Sequence, residues 1–132
     1  MNGRKILIVD DDKLMLKLLS ARLKSHGFIV STAEDGSSGL ALMRDLQPDL
    51  ILLDVGFPPD VAHGGGVAWD GIVLMNWIRQ TSNSKVPIIV ITARESPEIK
   101  AKALDAGAAG FLQKPINSDD LLEAMRKALA IP

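Results

Sequence analysis

Apolar residues in this chain fall into short runs separated by longer stretches with helical spacing. Ile6-Leu7-Ile8-Val9, Leu50-Ile51-Leu52-Leu53 and Val86-Pro87-Ile88-Ile89-Val90-Ile91 are continuous rather than alternating. That pattern predicts strands buried on both faces, as in a parallel sheet covered by helices. Gly110-Phe111-Leu112 is a shorter run of the same kind, and Phe28-Ile29-Val30-Ser31-Thr32 is more polar, which places it nearer a sheet edge. Between the runs, Met15, Leu19 and Leu23, then Leu40, Met43 and Leu46, then Ile72, Met75 and Ile78 recur at helical spacing. Leu121, Met125, Ala128 and Leu129 continue the rhythm to the end of the chain.

Boundary residues agree with these elements. Ser96-Pro97 reads as an N-cap followed by proline at the first helical position. Asp12, Asp70, Asn117 and Ser118 are further N-cap candidates, and Gly27 and Gly107 read as helix stops. The order is a strand–helix pair repeated five times, which predicts an α/β domain with a parallel sheet and helices on both sides. In open sheets of this type, sites form beyond the carboxyl ends of the strands.

The 132 residues suit one domain. With 47% hydrophobic and 23% charged residues the balance is globular. The formal net charge of -1 offers no basic field for a nucleic-acid backbone. The absence of cysteine excludes disulfides, thiolate metal sites and cysteine nucleophiles, and it fits a cytoplasmic protein. The apolar run before Asp10 is too short for a signal-peptide core or a membrane span.

The predicted strand ends carry the chemistry. Asp10-Asp11-Asp12 follow the first strand, Asp54 ends the third, Thr92 ends the fourth, and Lys114-Pro115 follow the fifth. Taken singly, each has an ordinary structural role: Asp12 as a helix cap, Thr92 satisfying its own backbone, Lys114 solvated. Taken together on one rim, clustered carboxylates repel one another and call for a cation. Mg²⁺ is the natural choice, being a hard ion that shares sites with phosphate. Beside it Asp54 would be a nucleophile toward phosphorus. Lys114 would neutralise one phosphoryl oxygen and Thr92 would hydrogen-bond another.

With these residues in view, the chain resembles the receiver domains of bacterial two-component response regulators. The resemblance runs from Lys5 to about Leu129 and rests on Ile6-Leu7-Ile8-Val9-Asp10-Asp11-Asp12, Pro48 to Asp54, Ile91-Thr92-Ala93 and Ala106 to Pro115. It implies a flavodoxin-like fold with strand order 2-1-3-4-5 and Asp54 as the phosphoacceptor. It implies Mg²⁺ held directly by Asp11 and Asp54, through water by Asp10, and by the carbonyl of Gly56. A cis bond between Lys114 and Pro115 is implied too, as is a switch made of Thr92 and Phe111. The phosphodonor would be a histidine kinase or phosphotransfer protein. The output face would lie on the fourth helix, fifth strand and fifth helix, roughly 97–106, 110–113 and 118–129. The chain would be a free-standing receiver or a piece of a longer regulator, catalytic only on its own phosphorylation and dephosphorylation.

The sequence departs from that pattern after the third strand. Pro58 and Asp70-Gly71 are separated by an insertion at about 59–69 that contains His63, Gly64-Gly65-Gly66 and Trp69. It reads as a neutral excursion, a lid or docking element beside Asp54, or a carrier for His63 as proton carrier or ligand. Gly56 leaves one side of an acyl phosphate without a shielding side chain, and Arg94 could cover the other; the expectation is altered self-dephosphorylation of either sign. Alternatives to the switch are an aspartyl-nucleophile phosphatase and an unphosphorylated scaffold. Gly56, where such phosphatases carry a second carboxylate, argues against the first.

Overall fold

The computed structural model describes residues 3–54, 71–80, 85–92 and 97–130. Ten elements alternate: β1 (Lys5–Val9), α1 (Lys13–Ser25), β2 (Ile29–Ala33), α2 (Gly36–Leu46), β3 (Leu50–Asp54), α3 (Gly71–Gln80), β4 (Ile88–Thr92), α4 (Pro97–Asp105), β5 (Gly110–Gln113) and α5 (Ser118–Leu129). All strand pairs are parallel, in the order β2-β1-β3-β4-β5. This is the expected flavodoxin-like topology, with the more polar β2 at an edge.

The continuous apolar strands serve two cores, because successive side chains point to opposite faces. Leu7, Val9, Ile51, Leu53, Ile88 and Val90 face a layer built from Leu40 and Met43 of α2, Leu74, Met75 and Ile78 of α3, and Ala103 of α4. Ile6, Ile8, Leu50, Leu52, Ile89 and Ile91 face Leu16, Leu19 and Leu23 of α1 and Leu121, Leu122 and Met125 of α5. Every residue of β3 and β4 is buried. A polar group is tolerated there only where the strand ends.

Helix ends follow local chemistry. Asp12 caps α1, its carboxylate accepting from the amides of Leu14 and Met15 at 3.0 and 3.2 Å. Asn117, rather than Ser118, caps α5 by accepting from Asp119 and Asp120. Asp35, which the sequence pattern did not single out, caps α2 through the Ser38 amide at 2.7 Å. Gly27 and Gly107 adopt φ of 90° and 91°, the left-handed stops expected of them. Pro97 is the first residue of α4, as expected, whereas Ser96 and Asp70 lie outside the described residues.

Two strand boundaries differ from the sequence expectation. Phe28 precedes β2: its amide donates to the Leu23 carbonyl at the end of α1, so its backbone belongs to the helix stop while its ring enters the core. β4 begins at Ile88 rather than Val86, because Pro87 has no amide to donate to a ladder. Of the insertion and its neighbourhood, residues 55–70 lie outside the described residues, and with them Gly56, His63 and Trp69; Arg94 does so as well.

Candidate functional site

Four of the predicted site residues come together beyond the carboxyl ends of the strands. Asp10 leaves β1 with its amide donating to the Ala33 carbonyl at 3.0 Å, one last link between β1 and β2. The residue is 1% exposed. One carboxylate oxygen accepts from the Asp12 amide at 2.9 Å, and the other from Lys114 Nζ at 2.8 Å. Asp54, the last residue of β3, is 5% exposed and lies 3.4 Å from the same Lys114 Nζ. Carboxylate oxygens of Asp10, Asp11 and Asp54 all lie within 4.8 Å of one another.

The lysine arrives from the far edge of the sheet. β5 pairs with β4 up to Thr92 and Gln113, and the next amide, that of Lys114, donates to the Thr92 carbonyl at 2.8 Å. The Lys114–Pro115 bond is cis, as the resemblance implied. Thr92 is fully buried at the end of β4. Phe111 lies one step back, opposite Val90, and packs half-buried against the core under α2, α3 and α4. Gly56, expected to offer its carbonyl, lies outside the described residues.

Electrostatics follow from this crowding. Partial burial, reinforced by the neighbouring Asp10 charge, holds the Asp11 carboxyl above the ordinary aspartate range. Burial by itself acts to lower the pKa of Lys114, but its hydrogen bond to Asp10 and the charges of Asp54 and Asp10 outweigh burial and raise it. Its ammonium is thus retained as the countercharge to two buried carboxylates. The donor set is hard and all-oxygen, the kind that a magnesium ion takes. These aspartates therefore form a cluster able to hold such an ion.

The family described as "Response regulator receiver domain" matches residues 6–126. The chain belongs to the response-regulator receiver family. It is a phosphorylation-based signalling switch of the two-component kind, with the acidic cluster typical of that family's phosphoacceptor site. A response regulator named MprA from Mycobacterium sp. (strain KMS) is 36% identical over 125 residues, or 95% of this chain and 50% of that protein. The receiver domain thus spans about half the length of the curated relatives it matches. Among solved structures, the Vibrio cholerae chemotaxis protein CheY4 superposes with a TM-score of 0.83 at 31% identity, covering 96% of this chain and 98% of that one. A CheY-like receiver domain protein from Methanospirillum hungatei JF-1 gives 0.85 at 29% identity, covering 98% and 95%.

Sequence reasoning placed Asp10, Asp11, Asp54, Thr92 and Lys114 on one rim, and the fold brings them there. It did not find the direct pairing of Lys114 with Asp10, since residues 104 positions apart carry no local signal of contact. Nor did it single out Lys100, whose Nζ sits 5.9 Å from the centroid of the Phe111 ring.

Proposed function

We propose that Asp54 is the phosphoacceptor of this receiver domain. The observation that carries the reading is the near-complete burial of Asp54 beside Lys114, with Asp10 and Asp11 oxygens close by. A carboxylate oxygen is the nucleophile phosphoryl transfer needs, and the Lys114 ammonium beside it offers a positive charge for the incoming phosphoryl oxygens. Mg²⁺ bound by Asp10, Asp11 and Asp54, with the Gly56 carbonyl as a further ligand, would neutralise the carboxylates and the incoming phosphoryl oxygens.

An Asp54 oxygen forms the new bond to phosphorus as the bond to the donor breaks, and the leaving group departs on the opposite side. With a histidine donor the broken bond is P–N; with acetyl phosphate it is P–O and acetate leaves. Lys114 pairs with one equatorial oxygen of the transferred group, exchanging part of its contact with Asp54 for it. The Thr92 hydroxyl binds another, and Phe111 follows the threonine inward, which alters the surface of α4, β5 and α5. In this reading a histidine kinase or phosphotransfer protein is the donor, and a downstream protein or effector domain reads that surface. The domain works in the cytoplasm and catalyses only its own phosphorylation and dephosphorylation. Among the described residues no helix is long and apolar enough to cross a membrane.

Incubation with acetyl phosphate and Mg²⁺, followed by intact-mass measurement, tests the assignment. One added phosphoryl group on the wild type and none on Asp54→Ala is the expected result. Equal labelling of both would overturn it.

A further inference from the structure

Phe111 is held from two sides. In the parallel register Val90 lies opposite Phe111 and Thr92 opposite Gln113. Side chains alternate along strands, so Thr92 and Phe111 project from the same face of the sheet. That face is covered in part by α4, through the fully buried Ala103. Phe111 packs half-buried against this core. Lys100 lies one turn before Ala103 on the same helix, and its ammonium stands over the ring at 5.9 Å from the centroid. The ring therefore has an apolar floor and a cationic roof. The acid of the first turn of α4, Glu98, is engaged with Lys102 at 3.4 Å, away from this contact.

We propose that Lys100 biases the resting switch by holding Phe111 in its partly buried position. The proposal rests on the reading of Thr92 and Phe111 as the moving pair. A ring that slides inward toward Thr92 leaves the Lys100 ammonium and forfeits its attraction to the ring face. A cation–π contact at an exposed site is worth roughly a two- to fivefold change in such an equilibrium. Lys100 therefore sets how much of the unphosphorylated protein already has the inward ring. The apparent affinity for a phosphoryl mimic scales with that fraction when it is small.

The test uses the full chain with Lys100→Met, which keeps length and apolar packing, and Lys100→Arg, which keeps the cation. With ring-labelled phenylalanine and no phosphodonor, the Phe111 resonance should move in the Met variant toward its position in beryllofluoride-saturated wild type. In the Arg variant it should stay near the wild-type position. With Mg²⁺, beryllofluoride should bind the Met variant roughly two- to fivefold more tightly, and the Arg variant like the wild type. In a Phe111→Leu background the Lys100→Met step should change nothing. An unmoved ring resonance in Lys100→Met, or an affinity gain that persists in the Phe111→Leu background, would sink the proposal. Failure of the wild type to bind beryllofluoride would instead count against Asp54 as acceptor. Comparing the Met and Arg ring resonances in unliganded protein would then still decide whether Lys100 holds the ring.

Discussion

Replacing Lys114 with Met removes a side-chain cation that bridges Asp10 and Asp54 while keeping an unbranched chain of similar reach. The ammonium lies 2.8 Å from one carboxylate and 3.4 Å from the other. At an effective dielectric of about 20, each attraction is about 5–6 kcal/mol. The ammonium no longer has to be desolvated in the variant, which offsets part of that. What remains is two buried carboxylates that have lost this ammonium, and breaking such a buried pair costs about 3 kcal/mol or somewhat more. For a domain of this size that is a fall in Tm of roughly 10 °C. The measurement is thermal unfolding at pH 7.5, followed by circular dichroism, in EDTA and in saturating Mg²⁺.

The pH is chosen by sign. Because the folded pKa of Lys114 is raised, its contribution is fully present below the unfolded value of about 10.4 and is lost only as pH climbs through the folded one. In EDTA the full loss of stability is expected. In Mg²⁺ an ion held by these carboxylates would replace the missing charge, and the loss should shrink to below about 1 kcal/mol. Equal losses in the two buffers would show that Lys114 acts by packing alone. No loss in EDTA would refute the claim that these carboxylates depend on its ammonium.

Asp11 has the opposite linkage: a folded pKa above the unfolded one means its ionised form weakens the metal-free fold, and that penalty fades as pH falls through the folded value. Asp11→Asn should therefore stabilise the protein in EDTA at neutral pH by about 0.5 kcal/mol while weakening Mg²⁺ binding in calorimetry, and wild-type Mg²⁺ affinity should decline with acid from above the ordinary aspartate range. Arg79→Met removes hydrogen bonds to the Val86 and Gly107 carbonyls. It should cost about 2 kcal/mol in urea unfolding and leave the yield of acetyl phosphate labelling unchanged. Asp12→Ala deletes the α1 cap and should cost about 1 kcal/mol, again without loss of labelling, which would separate Asp12 from its neighbours Asp10 and Asp11.

Much of this protein could be read from residue type and spacing. Continuous apolar runs alternating with helical stretches predict a parallel sheet with helices on both faces, because strands buried on both sides need a covering layer on each and the helices between them supply it. The polar rim was legible for the same reason: a polar or charged residue adjoining an apolar strand stands at its end, so Asp10, Asp54, Thr92 and Lys114 announced themselves. What the chain could not reveal was anything set by contacts across the fold. Strand alternation sends Ile6 and Leu7 to opposite faces, yet which helices cover each face is decided only by the packing. The boundary at Phe28 was decided by a hydrogen bond back to Leu23. Lys114 and Asp10 meet because β5 and β1 end at one rim, and Lys100 reaches Phe111 because α4 lies across β5. Such pairings depend on how elements stack in three dimensions, and no local preference of the backbone encodes them.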